Sequence, residues 1–203
     1  MASGPVLVSV TVADPPERWE AAGFTVDGGS CQVGEVRIDL GVDGSGIVAW
    51  GLHGVEAGIV DGLETRQDDQ PIGSGAAHAN GTVSLDHLVV TSHDPVRTRA
   101  ALEERGFEVC RTVEMGDRRY TFFRVGEAIL ELVGPASADG DQPARLFGLA
   151  FTVADIDATA AHLGPLLGAV KAAIQPGRRI ATLRRDAGLS VPVAFMSPGA
   201  GAI

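Results

Sequence analysis

The stretch LDHLVVTSHDP, residues 85–95, decides the fold prediction because it joins a strand pattern to the start of a helix. Apolar residues dominate its first half, which is typical of a strand inside a sheet. Asp94 then stands directly before Pro95, and a short carboxylate followed by proline is typical of a helix N-terminus. Further along, residues 128–135 read AILELVGP, a second strand pattern that ends at a glycine and a proline.

The same order of patterns occurs three times along the chain. The first copy begins with VLVSVTV at residues 6–12 and is followed by Asp14, and the third begins with GLAFTV at residues 148–153 and is followed by Asp155. Further strand patterns follow each helix, so each unit reads β-α-β-β-β. Residues 56–83 are polar, rich in glycine and without a sustained period, and predict a linker. The predicted organisation is therefore an N-terminal βαβββ-like module (1–55), the linker (56–83), and one domain (84–203) of two modules (84–135 and 146–199).

Composition and charge exclude several classes of function. The chain has 203 residues, of which 45% are hydrophobic, so it is long enough to bury one sizeable core. Its formal net charge of −10 repels phosphate backbones and anionic lipids, so neither nucleic acid nor a membrane surface is an expected partner. The two cysteines, Cys31 and Cys110, form no CxxC motif and favour a reducing compartment. The sequence therefore predicts a cytoplasmic protein without a membrane-spanning segment.

The chain resembles the glyoxalase / bleomycin-resistance / extradiol-dioxygenase group, the vicinal oxygen chelate superfamily. LDHLVVTSHDP is similar to its first-strand pattern and AILELVGP to its fourth-strand pattern. The resemblance covers residues 84–199 well and residues 5–55 weakly. It implies an α+β fold in which paired βαβββ modules form a U-shaped cleft, with the N-terminal module in addition. It also implies one divalent metal ion at the floor of the cleft, with His87 and Glu131 as ligands.

The third unit departs from the family pattern. His87 lies seven residues before Asp94, and the residue seven before Asp155 is Gly148. Both units end at a proline, and alignment on that proline places Ala194 opposite Glu131. Neither residue can bind a metal. The first unit offers Leu7 and, approximately, Ala49 at the matching positions. The cofactor prediction is therefore one divalent ion in a degenerate site, or none.

His87 and Glu131 each have two interpretations. Alternation along the strand directs His87 into the cavity that its face lines, but a half-buried histidine with an ordinary hydrogen bond is the alternative. Glu131 lies between apolar neighbours, where an unpaired carboxylate is costly, so it needs a metal, a proton or a cation. It is also the candidate catalytic base. The alternative is an ion pair with Arg119 or Arg124.

Other side chains are candidates for ligand binding. The pairs Arg118-Arg119 and Arg178-Arg179 have the bidentate geometry that suits an anion, although solvated strand ends are the alternative. Arg119, Arg179 and the aromatic Phe123 are the predicted substrate-binding residues. Trp19 and Trp50 are expected in the core. The remaining histidines are expected to be solvated: His53, His78, His93 and His162.

Three functions follow as hypotheses. The first is a cleft that sequesters a small molecule, as in bleomycin-resistance relatives, with a degenerate metal site. The second is a metal-dependent lyase, isomerase or dioxygenase that uses His87 and Glu131. The third is a structural or regulatory protein whose cleft is filled by its own side chains. A homodimer is also plausible, because an unpaired βαβββ unit leaves a sheet edge and face to be covered.

Overall fold

A computed structural model describes residues 4–199, which form two β-sheets and three α-helices. Sheet A contains β1 (Val6–Val12), β2 (Ser30–Val33), β3 (Val36–Asp39), β4 (Ile47–His53), β5 (Gly58–Val60) and β6 (Leu63–Gln67). Sheet B contains β7 (Thr82–Thr91), β8 (Val109–Met115), β9 (Arg118–Val125), β10 (Ala128–Pro135), β11 (Arg145–Val153), β12 (Lys171–Ala172), β13 (Arg179–Thr182) and β14 (Val193–Met196). The helices are α1 (Pro16–Ala21), α2 (Pro95–Glu104) and α3 (Ile156–Leu163). None of the helices among these residues is long and apolar enough to cross a membrane.

Sheet B has the paired architecture that the sequence predicts. Its strand order is β12-β13-β14-β11-β7-β10-β9-β8, so each half contributes four strands and the halves meet where β7 and β11 pair antiparallel. In each half the first strand lies parallel to the last, β7 to β10 and β11 to β14. The α+β fold of paired βαβββ modules is therefore confirmed.

The register relates the two halves by an approximate two-fold axis. Leu88 lies opposite Leu149 where β7 and β11 meet, so the preceding residues, His87 and Gly148, are equivalent. Glu131 pairs with the residue after Leu88, and Ala194 pairs with the residue after Leu149. This register confirms Gly148 as the counterpart of His87 and Ala194 as the counterpart of Glu131.

Sheet A is a reduced version of the same plan. Its order is β2-β3-β1-β4-β6-β5, with β1 and β4 antiparallel at the centre and a parallel neighbour beside each of them. The predicted β-α-β-β-β order is present, but β4 begins the second half of the sheet instead of completing the first module. The linker prediction is wrong for residues 58–67, because β5 and β6 continue sheet A there. Three-residue and five-residue strands are too short to carry a readable period.

A β-bulge occurs at the same place in both sheets. In β7, Leu85 pairs with Phe151 and His87 with Ala150, so Asp86 is the extra residue. In β1, Leu7 pairs with Leu52 and Ser9 with Gly51, so the residue between them is extra. A bulge re-aims side chains without changing the strand pairing around it. The register thus makes Ser9 the counterpart of His87, and the alignment of Leu7 with His87 is wrong by two residues. Asp14 follows Ser9 by five residues, whereas Asp94 follows His87 by seven.

One hydrophobic core joins the two sheets. Phe24, which follows α1, lies 5.1 Å from Phe151 of sheet B between ring centroids, and Trp50 stacks on Phe107 at 5.7 Å. Trp19 and Trp50 are fully buried, as predicted. Sheet A therefore covers one face of sheet B within the same chain. This packing removes the physical argument for a homodimer, which depended on an uncovered N-terminal module.

The predicted helix starts are confirmed for two units of three. The carboxylate of Asp94 accepts hydrogen bonds from the backbone N–H groups of residues 96 and 97, and Asp155 does the same at the start of α3. Asp14 does not cap α1. It accepts a hydrogen bond from the Ser190 backbone N–H instead and ties the first unit to the last strand connection.

Candidate functional site

The open face of sheet B, opposite the face that sheet A covers, contains a cavity of about 400 Å³. Residues from both halves of the sheet line it, so the sheet curls around the cavity as the predicted U-shaped cleft requires. Most lining side chains are apolar. They are Val113, Met115, Tyr120, Phe122, Ala172, Ala173, Ile174, Ile180 and Met196, with His87, Arg111, Glu131, Lys171 and Gln175 as the polar members.

His87 and Glu131 meet in this cavity. The imidazole Nε2 of His87 lies 3.3 Å from Oε2 of Glu131, and the exposed fractions of the two side chains are 14% and 17%. The two residues belong to adjacent parallel strands and share one face of the sheet, because β7 and β10 alternate in phase. The pairing of Glu131 with His87 replaces the expected alternative of an ion pair with Arg119 or Arg124.

A second carboxylate holds the other side of the imidazole. Oδ2 of Asp86 lies 2.9 Å from Nδ1 of His87, and Oδ1 of Asp86 lies 2.6 Å from Nη2 of Arg178. The Thr152 hydroxyl donates to the same Asp86 oxygen at 3.0 Å. Adjacent strand residues normally point to opposite faces, and the bulge at Asp86 allows the Asp86 carboxylate to contact the His87 imidazole on the same side of the sheet. The polar chain therefore runs from Glu131 through His87 and Asp86 to Arg178.

The two carboxylates have opposite electrostatic environments. Burial acts to raise the pKa of Asp86, but hydrogen bonds with His87 and Arg178 outweigh it and hold that pKa well below its usual range. Burial raises the pKa of Glu131, the charge of His87 opposes the rise, and the charge of Asp86 adds to it. Asp86 is thus a fixed anion that orients the imidazole, while Glu131 is the group that gains or loses a proton more readily.

The donor set does not fit the divalent metal that the resemblance implies. His87 and Glu131 contact each other, and Gly148 and Ala194 occupy the equivalent positions in the other half. A side chain at position 148 would also collide with its neighbour, because a Cβ there would lie 2.9 Å from the Pro192 carbonyl oxygen. Within residues 4–199, no three His, Cys, Asp or Glu side chains are grouped to hold a metal ion. Two ligands are fewer than the three that a catalytic zinc site uses.

The predicted substrate-binding residues lie outside the cavity, and this part of the prediction is corrected. Phe123 is fully buried in the core on the opposite face of β9, and its neighbour Phe122 lines the cavity. Arg119 pairs with Glu114 at 2.7 Å on that opposite face. Arg179 pairs with Asp157 of α3 at 2.8 Å, with about half of its side chain exposed.

Several residues of the site are not predicted by the sequence analysis. Some are adjacent to predicted residues, and others belong to other strands. Arg178, adjacent to Arg179, is the arginine that reaches the polar chain through Asp86. Asp86 itself was missed because strict alternation places it on the buried face. The prediction that His78 is solvated is wrong: His78 is 9% exposed, accepts a hydrogen bond from the Thr25 N–H and lies 3.1 Å from the Gln32 carbonyl oxygen. It fastens the segment before β7 to sheet A.

No protein-family profile matches the chain, and no curated protein matches it. Solved structures match part of the chain. The methylmalonyl-CoA epimerase from Mycobacterium tuberculosis is 18% identical, with a TM-score of 0.48, over 59% of this chain and 90% of that one. A Streptomyces coelicolor methylmalonyl-CoA epimerase variant in complex with 2-nitronate-propionyl-CoA is 22% identical, with a TM-score of 0.47, over 59% of this chain and 96% of that one. Likeness at this level of identity concerns the fold and carries nothing about substrate.

Proposed function

We propose that this protein binds a small organic molecule in the cleft of sheet B and that binding requires no metal ion. The observation that carries the proposal is the cavity of about 400 Å³ whose walls are mostly apolar and whose floor is the His87–Glu131 pair. A concave, apolar cavity with a few polar groups at one end is the usual form of a small-molecule site. The third hypothesis, a cleft filled by the chain's own side chains, is disfavoured by the volume of this cavity.

The walls favour a ligand with a flat or branched apolar body. Phe122 lies on one arm of the cleft, and Ile180 and Met196 lie on the other, so a ligand between them loses water from both sides. Burying such a body contributes about 25 cal/mol for each Å² of apolar surface removed from water. The polar pair at the floor offers a hydrogen-bond acceptor or donor to one polar atom of the ligand and thereby fixes its orientation.

N-Phenyl-1-naphthylamine, an uncharged dye that fluoresces in apolar sites, tests the proposal. We expect saturable binding at one site, and we expect Ile180→Glu to weaken it more than about tenfold, because a carboxylate in the apolar wall must be desolvated by the dye. Ile180 is half-buried in the cleft, so this substitution leaves the core intact. Ile59→Glu is the matched control, since Ile59 is 66% exposed on sheet A, outside the cleft. Equal binding by the two variants would contradict a site in the cleft.

A second candidate function is isomerisation by proton transfer at Glu131. The geometry that favours it is a carboxylate at the cavity floor, in contact with an imidazole that a second carboxylate orients. Glu131 would take a proton from a carbon beside a carbonyl group, and after the resulting enolate has turned its other face to the carboxyl group Glu131 would return the proton to that face, so that no co-reactant is needed. The thioester of 2-phenylpropionic acid with N-acetylcysteamine in D₂O provides the test. Deuterium at the α-carbon that depends on Glu131, and is lost in Glu131→Gln, would support an enzyme.

We also propose a cytoplasmic location. Cys31 is buried, Cys110 is exposed, and both are free thiols. An exposed free thiol is more compatible with a reducing compartment than with an oxidising one. Reaction of the protein purified from its native cells with a thiol reagent would check this: full labelling of Cys110 is expected, and a mixed disulfide at Cys110 would contradict it.

A further inference from the structure

Two rows of side chains face each other across the cleft, and the two outer residues of each row have the same chemical character. On one arm, Arg111 pairs with Phe122, and Phe122 pairs with Glu131. On the other arm, Lys171 pairs with Ile180, and Ile180 pairs with Met196. All six of these residues line the cavity. Each row therefore begins with a cation on the outermost strand and continues with an apolar side chain towards the floor.

The two outer cations have no carboxylate of their own. Arginines elsewhere, such as Arg97 and Arg178, lie within ion-pair distance of an aspartate. Within residues 4–199, neither Arg111 nor Lys171 forms such a pair. Of the described residues that line the cavity, only Glu131 carries a carboxylate, and it lies two strands away from Arg111, about 10 Å by the usual spacing of strands.

The charge of the cleft mouth is opposite to that of the whole chain. The formal net charge is −10, so most surfaces repel an anion. Two unpaired cations on opposing arms concentrate positive potential at the mouth, and such focusing raises the local concentration of an anionic ligand. A guanidinium and an ammonium can together hold both oxygens of a carboxylate.

We infer that the ligand of the cleft is an organic acid with an apolar body. Its anionic group lies between Arg111 and Lys171 at the mouth, and its body lies between Phe122 and the Ile180–Met196 wall. This inference rests on the proposed function, since it needs the cleft to bind a small molecule, and it adds the chemical class of that molecule. It assigns Arg111 and Lys171 as the residues that distinguish an acid from a neutral compound of the same shape.

A pair of dyes with the same body tests the inference. 8-Anilinonaphthalene-1-sulfonate has the skeleton of N-phenyl-1-naphthylamine with an added sulfonate, which stands in for the acid group. We expect the sulfonate dye to bind about tenfold more tightly, because charge contacts in a partly exposed site each contribute a factor of a few. In Arg111→Gln/Lys171→Gln this advantage should disappear, while the affinity for the neutral dye should stay the same.

The control is Arg99→Gln/Arg185→Gln, which changes the net charge equally at positions outside the cleft. It should retain the preference for the sulfonate dye. Equal affinity of wild-type protein for the two dyes, or a preference that survives in the Arg111/Lys171 variant, would overturn the anion site and leave the proposed function intact. Failure of the wild-type protein to bind the neutral dye would overturn the proposed function itself.

Discussion

Arg178 and Arg179 are adjacent in the chain, but their guanidinium groups have different environments. Arg178 is 13% exposed, pairs with Asp86 and donates to the Ser197 carbonyl oxygen. Arg178→Gln leaves the Asp86 carboxylate without its cation in a buried site, and we expect it to lower the free energy of unfolding by about 3 kcal/mol. Arg179→Gln is the control, because the exposed pair with Asp157 is screened by solvent, and it should leave stability unchanged within error. Urea denaturation of both variants measures the difference.

Glu131 gives a prediction about pH. Its pKa in the folded protein is raised above the ordinary value of 4.5, with burial as the main cause. Between the two values the folded state keeps a proton that the unfolded state has released, so wild-type stability falls as pH rises through this window. The glutamine side chain of Glu131→Gln cannot ionise, so the variant does not lose stability in this way as the pH rises. The variant should therefore gain stability relative to wild type as the pH is raised from 4 to 7, in denaturation curves measured at each pH.

A constant difference between Glu131→Gln and wild type over this range would contradict the assigned environment of Glu131. His87 and Asp86 are the titratable groups that face it, and both remain in the variant. Ile129→Gln would serve as a control for adding an amide to the same strand, since Ile129 is half-buried on the same face.

The donor set predicts weak metal binding. With His87 and Glu131 as the two side chains available, protein that has been incubated with excess Zn²⁺ or Co²⁺ and then desalted should retain much less than one equivalent. Elemental analysis measures the content. One equivalent that is retained by wild type and lost in His87→Ala would show that other groups complete the site, and the metal-dependent hypothesis would regain its support.

Strand alternation explains which site residues could be predicted from sequence. The resemblance predicts His87 and Glu131, and both are polar residues inside largely apolar strands. The sequence analysis selects Phe123, whereas Phe122 lines the cavity. Two adjacent aromatic residues do not reveal which of them lies on the cavity face of the strand. For the same reason the sequence analysis selects Arg179, whereas its neighbour Arg178 contacts Asp86. Only pairing partners, such as Glu131 opposite Phe122, fix the face.

At the scale of secondary structure, the helix caps give a direct test. Asp155 accepts hydrogen bonds from the N–H groups of Asp157 and Ala158 at the start of α3. Asp155→Ala removes both and should destabilise the protein by about 1 kcal/mol. Asp43→Ala, at an exposed loop position, is the control and should have little effect. Equal thermal stability of the two variants would show that the cap contributes nothing.

Elements with a local signal were predictable, and those set by distant contacts were not. Capping residues and apolar periods located α2, α3 and the long strands of sheet B. β5 and β6 gave no such signal, since they are short and owe their conformation to pairing with each other and with β4. Asp14 resembles the other caps in sequence, but its carboxylate accepts a hydrogen bond from the backbone N–H of Ser190, far along the chain.

The whole molecule should unfold as one unit. The core is continuous between the sheets, and both tryptophans belong to the first half of the chain while they contact rings of the second half, Phe151 and Phe107. Tryptophan fluorescence therefore reports on sheet A at its contact with sheet B, and far-UV circular dichroism reports on both sheets. The two signals should give the same midpoint in urea. Separate midpoints would show that sheet A and sheet B are independent.

The overall plan was predictable in outline because a repeated order of patterns survives changes in individual residues. The three-unit description was incomplete, however, since sheet A is itself two paired halves. The second half lacks a helix and has short strands, so sequence alone does not distinguish it from a connection. The second half of sheet A is small, but it packs against the apolar face of sheet B, and this burial stabilises it.

The extra residue in β7 and its counterpart in β1 have one more consequence. Sheet A has Val8 at this place, so the backbone geometry tolerates an aliphatic side chain there. Architecture alone thus does not demand an acid at position 86, and the reason for Asp86 must be sought in its contacts with His87 and Arg178. A bulge at this place therefore accommodates either an aliphatic or an acidic side chain while the neighbouring strands keep their pairing.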